Sequence, residues 1–316
     1  MKGRLRLAGA LVGVPASAYF AVFAYRTVTR HDLHSLCTTP MIAAISAAAL
    51  ASAAVIPTSS WAWGRLLRGT GVGLPILELN LIMGLTQIGK YLPGSVAQHL
   101  GRTAMSIERG VPASTLFLTL VVEVLLTMVA SLAVGVAGFV ASVRTAGQLP
   151  VGHLQTAALA GLCLVIALVG LGVASRSTPL LSRAWIPRLP GTPGPGARAS
   201  STAFAVYVLN FALLGAGLYG VALAASGVGP AELPFFIGVL AMSWIAGFVA
   251  PGAPAGLGVR EGVMAVLLTP RIDSARALEI IIAFRVATTL GDLLGFAWGG
   301  ALLLLKQRRP SGSVPA

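Results

Sequence analysis

Charge is what this 316-residue chain has least of. Asp, Glu, Lys and Arg together make 10% of it, while hydrophobic residues make 56% and the mean hydropathy is +0.87. Soluble domains carry roughly 25% charged residues, so this composition excludes a water-soluble globule and points to a bilayer. No polar block is long enough for a separate soluble domain, which leaves any chemistry to the membrane domain itself. Acidic residues are the scarcer sign: nine Asp and Glu stand against 22 Lys and Arg, a net charge of +13. In a soluble protein that excess would suggest nucleic acid. Here no basic run is interleaved with aromatics, and most cations sit at segment ends, where cytoplasmic loops and anionic headgroups collect them. Nucleic acid is therefore not an expected partner. The two cysteines, Cys37 and Cys163, cannot make a disulfide framework. The four histidines show no ligand spacing with Cys or Asp, so no metal and no cofactor are expected. Nucleophile elbow, Walker loop and HExxH are all missing. The "GAGLYG" at 215–220 follows no strand and lies inside an apolar run.

What is present is a series of apolar runs: 7–28, 41–58, 113–141, 153–174, 202–225, 233–250 and 277–305. The first, in "MKGRLRLAGALVGVPASAYF", has the basic head and small-residue end of a signal peptide. With so many runs after it, it reads as an uncleaved first transmembrane helix. The fold class is thus all-α and polytopic. The chain reads as a single membrane domain over 1–316, with a first half to about residue 174, a Pro/Gly/Ser-rich linker at 175–200, a second half over about 201–306 and a tail at 307–316. Basic residues at the N-terminus, in the linker and at the C-terminus place all three on the cytoplasmic side of the cell membrane by the positive-inside rule.

Two regions, 74–107 and 251–270, do not read as clean spans. "KYLPGSVAQHLGR" is broken at Pro93-Gly94 and "APGAPAGLGVREGV" at Pro251-Gly252, with Gly256 and Gly258 close behind. Backbone freed at such breaks must be buried in protein or line a wet cavity. An even number of clear spans precedes the linker and an odd number follows it. Parity therefore makes the first region a re-entrant hairpin and the second a broken helix that crosses, giving about eight transmembrane helices. Each Pro-Gly is followed after seven residues by an arginine, Arg102 or Arg260, which makes a weak internal repeat. Repeats with matching helix breaks point to a transporter's site.

Ionisable groups inside a membrane are costly and usually face a cavity or one another. The candidate substrate-binding set is Lys90, Tyr91, Gln98, His99, Arg102, Glu123, Arg260, Glu261, Arg285 and Asp292. Gln98, His99 and Arg102 share a face if 95–107 is helical, and Gln87 and Tyr91 stand in the same i, i+4 relation. Arg285 and Asp292 are seven apart on the last helix. Glu123 lies deep in its span and needs a partner. Guanidinium groups suit a phosphate, and helix N-termini after the breaks would add N–H groups. Two alternatives remain open: Glu123 and Arg285 as a buried pair that only fixes packing, and Arg102 snorkelling at the interface. Gly291, Gly295 and Gly299 form a small-residue face suited to close packing within the bundle.

The motifs "KYLPGSVAQHLGR" and "PAGLGVREGV", a Glu in the span between them and an Arg in the last helix resemble the lysylphosphatidylglycerol synthase/flippase transmembrane family. Its pattern is matched by Pro93, Gly94, Arg102, Glu123, Gly256, Gly258, Arg260, Glu261 and Arg285. The resemblance implies a polytopic helical fold with re-entrant segments and translocation of lipids with modified headgroups. The first motif, "YLPGSVAQHLGR", looks more like that of the stand-alone branch, and without the aminoacyl-transferase domain of the larger members the chain is not expected to synthesise lysyl-lipid. The leading expectation is a flippase for a phospholipid or lipid-linked saccharide with a phosphate headgroup, its partners being anionic or polyprenyl-phosphate-linked membrane lipids. The alternatives are a non-catalytic membrane partner of a cell-envelope glycosyltransferase and a membrane-embedded transferase acting on lipid phosphates, for which Glu261 or His99 would be the base.

Overall fold

A computed structural model describes residues 38–91, 97–146, 193–250 and 256–308. The expected spans 7–28 and 153–174, most of the linker, and the breaks at Pro93, Gly94, Pro251 and Gly252 lie outside the described residues. Among the described residues the chain is helices joined by short turns, with no strand. Its helices are α1 (Thr39–Gly69), α2 (Ile76–Thr86), α3 (Ala97–Ile107), α4 (Ala113–Ala146), α5 (Gly196–Ser226), α6 (Leu233–Val249), α7 (Val259–Leu268) and α8 (Ser274–Arg308). A 3-10 turn, Gln87–Tyr91, extends α2, and another, Pro230–Glu232, leads into α6.

Five segments are long and apolar enough to cross a membrane: α1, α4, α5, α6 with its leading turn, and α8. They overlap five of the expected runs but extend beyond most of them, because a helix goes on hydrogen-bonding past the point where its side chains turn polar. Thus α5 begins at Gly196, so the last residues of the expected linker are helical. At the other end α8 runs to Arg308, into the expected tail. The broken regions hold the short helices. At 1.5 Å per residue, α2 and α3 each rise about 16 Å and α7 about 15 Å, half the thickness of a hydrocarbon core.

Lipid tails are as apolar as leucine, so helices in a membrane associate through close packing rather than hydrophobic burial. The glycines show where. A Cβ on Gly291 would lie 2.5 Å from the Ser52 Cβ of α1. On Gly299 it would lie 2.7 Å from the Leu85 nitrogen of α2, and on Gly84 it would lie 2.7 Å from the Gly295 carbonyl of α8. The glycine face of α8 is thus spent inside the bundle, against α1 and α2. On the other side Gly138 of α4 meets Gly238 of α6, and Ser131 Oγ donates to the Ala241 carbonyl at 2.7 Å. Leu50, Leu209, Leu293 and Trp298 are exposed and make an outer surface suited to acyl chains.

The helix α1 runs unbroken through a proline that its apolar run conceals. Pro57 lies inside it and removes one backbone donor. The polar groups around it are gathered inward: the Thr58 hydroxyl lies 3.0 Å from the Ala54 carbonyl and 2.8 Å from Asn210 Oδ1 of α5, and Asn210 Nδ2 donates to Ser59 Oγ at 3.1 Å. This side of α1 and α5 faces the space described next.

Candidate functional site

A cavity of about 440 Å³ lies where the two broken regions approach α1, α4, α5 and α6. Its size suits a small ligand or a headgroup. Val55, Met83, Phe211, Leu214 and Phe248 supply an apolar lining, and Lys90, Gln98, His99, Arg102, Glu123 and Arg260 reach it from four elements. A second cavity of about 60 Å³, lined by Lys90, Tyr91, Arg260, Glu261, Arg285 and Asp292, adjoins it. Lys90, Leu214, Trp244 and Arg260 border both. The smaller one has room for a few waters at most.

Each element delivers its polar groups by its local structure. Helix α3 carries Gln98, His99 and Arg102 on one turn-spaced face, as the i, i+3, i+4 spacing requires. Arg102 is buried, only 5% exposed. It donates from Nη1 to Glu123 Oε1 at 3.0 Å and from Nη2 to Oε2 at 2.6 Å. Its guanidinium carbon stands 3.6 Å from the centre of the Trp63 ring. A bidentate pair against an aromatic face is the tightest arrangement available to these two charges. Both alternatives left open above are thereby corrected. Arg102 does not snorkel, and the partner of Glu123 is Arg102 rather than Arg285, because α3 lies against α4.

Arg285 instead faces Glu261, at 3.4 Å. Glu261 has a second duty. Its Oε2 accepts the Gly258 N–H at 2.7 Å, which caps the start of α7 from within its own first turn. Gly258 and Gly256 have φ of +80° and +69°, a region costly to residues with a Cβ. The "GLGVRE" stretch thus reads physically as two left-handed glycines that turn the chain into α7, a carboxylate that caps it, and an arginine on its first turn.

Asp292 is also occupied. Gln87 Nε2 and Lys90 Nζ donate to its Oδ1 at 2.9 and 2.6 Å, and the Tyr91 hydroxyl donates to Oδ2 at 2.5 Å. The whole 3-10 turn is therefore pinned to the middle of α8 through one carboxylate.

Arg260 differs from the rest. No salt bridge reaches it among the described residues, and its buried Nε has no hydrogen-bond partner. Its side chain threads a slot between Gly247 of α6 and Gly256. A Cβ on either would come within 2.9 or 2.8 Å of Arg260 Nε. Its guanidinium lies 5.6 Å from the Trp244 ring centre, and Trp244 is itself stacked on Phe248 and edge-on to Phe211.

All ten expected site residues thus border one of the two cavities: Gln98, His99, Arg102 and Glu123 the larger, Tyr91, Glu261, Arg285 and Asp292 the smaller, Lys90 and Arg260 both. Sequence reasoning did not single out Trp63, Trp244, Gly247, Tyr207 or Asn210. An asparagine in the middle of an apolar run is itself a signal, and Asn210 was legible on that ground. The tryptophans and Gly247 carried no pattern that separates them from ordinary packing residues.

The family described as the lysylphosphatidylglycerol synthase TM region matches residues 6–295. No curated protein matches the chain.

Proposed function

The chain belongs to the family of the lysylphosphatidylglycerol synthase TM region, and from that premise we propose that it is a lipid translocase whose substrate carries a phosphate headgroup into the larger cavity. The observation that carries this reading is Arg260: a guanidinium without a carboxylate partner, held between two glycines and an aromatic stack, on the wall of a cavity among membrane-spanning helices. A cation kept in a membrane at this cost is expected to meet an anion, and the planar fork of an arginine fits a phosphate. Arg102, which the sequence suggested as a second phosphate ligand, is taken by Glu123; in this reading it forms the opposite wall.

The path follows from the short helices. The segments at α2–α3 and at α7 would be half-membrane elements, the first re-entrant and the second part of a broken crossing, in a protein of about eight spans with both termini in the cytoplasm of the cell that makes it. Acyl chains would stay outside the bundle while the headgroup passes between the halves. The test is reconstitution into vesicles containing a fluorescent phosphatidylglycerol, with a membrane-impermeant quencher reporting the fraction that changes leaflet. The full-length protein is expected to accelerate exchange over empty vesicles, and Arg260→Ala to remove that acceleration while eluting as a folded species. Exchange by the variant at the unsubstituted rate would overturn the role of Arg260, and no acceleration by either protein would count against translocation of this lipid.

A further inference from the structure

The charges around the two cavities cancel in a specific way. Arg102 is matched by Glu123, Lys90 by Asp292 and Arg285 by Glu261. The carboxylates are used up as well: Glu123 by both oxygens on Arg102, Asp292 by three donors, and Glu261 by the cap of α7 together with Arg285. Among the described residues one positive charge, that of Arg260, is left without a salt bridge, and no carboxylate is left without a cation; Glu261 and Asp292 reach Arg260 only at longer range.

We propose that the larger cavity selects a lipid phosphodiester with one negative charge and an uncharged, hydroxylated substituent, in preference to phosphomonoesters, diphosphates and headgroups bearing ammonium groups. This rests on the translocase reading and narrows it. A singly charged phosphodiester leaves the filled cavity neutral. A second negative charge would be buried without a partner, and an added ammonium group would find every carboxylate engaged; both are penalised in a low-dielectric site. The remaining lining supports the hydroxylated part. Tyr207 is 3% exposed and its hydroxyl has no hydrogen-bond partner among the described residues, although the residue borders the cavity. Buried hydroxyls are nearly always paired, so this one is available to a ligand hydroxyl. Asn210, Gln98 and His99 border the same space with neutral polar groups.

Such a phosphodiester can come from a diacylglycerol lipid, as phosphatidylglycerol, or from a polyprenyl lipid, as a polyprenyl phosphoryl hexose. The experiment is competitive lipid binding to the full-length protein in mild detergent, read by native mass spectrometry. The competitors are those two lipids, phosphatidic acid, polyprenyl diphosphate, phosphatidylethanolamine and lysyl-phosphatidylglycerol. At least one of the two singly charged diesters is expected to bind at least about tenfold more tightly than any of the other four, and the tighter of the two names the lipid source. Equal or tighter binding of a diphosphate, monoester or ammonium-bearing headgroup overturns the proposal while leaving the cavity reading intact. Equal binding of all lipids to the unsubstituted protein and to Arg260→Gln would instead sink the cavity reading. Two variants move the charge in opposite directions. Glu123→Gln releases a second positive charge and is expected to shift preference toward phosphatidic acid. Arg260→Gln removes the one that lacks a salt bridge among the described residues and is expected to bring the diester-to-monoester ratio near one. An unchanged ratio in either folded variant refutes charge matching as its cause.

Discussion

Replacing Arg260 by glutamine is expected to make the lipid-free protein more stable, and to do so by removing what the protein needs to function. An arginine at the centre of a membrane helix costs roughly 2.5–3.5 kcal/mol on insertion scales. Here no carboxylate among the described residues lies within salt-bridge distance, and Glu261 and Asp292 act on the guanidinium only from farther off. The Trp244 ring, 5.6 Å from the guanidinium, returns about 0.5–2 kcal/mol. The difference leaves a neutral side chain about 0.5–3 kcal/mol better off, less some lost stem packing. Arg102 gives the opposite case. Arg102→Gln strands Glu123 and should cost about 3–5 kcal/mol, the usual penalty for breaking a buried pair. Thermal unfolding of the two variants and the unsubstituted protein, in one detergent stripped of lipid, separates these cases. Adding phosphatidylglycerol should then raise the transition of the unsubstituted protein, by about 2.7 kcal/mol at a hundredfold excess over Kd, and leave that of Arg260→Gln where it was. If Arg260→Gln instead unfolds as early as Arg102→Gln, Arg260 is a structural element and the reasoning from its unmatched charge fails.

Gly247→Ala places a methyl 2.9 Å from Arg260 Nε and is expected to push the side chain out of its slot, lowering lipid binding at least about tenfold with helicity by circular dichroism unchanged. Asp292→Asn removes the charge that anchors Gln87, Lys90 and Tyr91; faster amide exchange confined to 87–91 is the expected signature, and unaltered exchange there would show that the turn is held by something else. Glu78, outside the five spans, is the acid-sensitive tie. Burial pushes its carboxyl up, but hydrogen bonds and charge from Lys306 and Arg109 outweigh that and hold it below the ordinary value of 4.5. A depressed carboxylate contributes stability above its unfolded value and loses it as pH falls through its folded one. The loss on acidification below about pH 4.5 should therefore be smaller in Glu78→Gln, measured by unfolding across pH; an identical acid limb would dismiss this tie.

Legibility in the sequence followed the range of each interaction. Helix existence and face spacing are local, so α1, α4, α5, α6 and α8 were readable from apolar runs, as was the shared face of Gln98, His99 and Arg102. The glycine face of α8 was readable as a packing surface, but not its two partners. The proline in α1 was hidden because one imino acid does not lower the hydropathy of a long run. Carboxylate partners were the least legible. Glu123 could be seen to need a partner, but the pair named for it was Arg285, since chemistry alone does not tell one arginine from another. Trp63 and Trp244, which hold the two cavity arginines in place, looked like any aromatic in an apolar run.

By itself the sequence determined the solvent: with so few charges the chain belongs in a bilayer, and a bilayer leaves its backbone little choice but helix. It determined the family too, through a glycine-rich turn whose conformation and cap are set within six residues. Only the tertiary structure decided which charges meet. Ion pairing falls off within a few ångströms and joins residues as far apart in the chain as Lys90 and Asp292, so it depends on how helices lie against one another, which here follows from glycines that let backbones touch. Among the described residues that arrangement pairs every other charge lining the cavities and leaves Arg260 without a salt bridge.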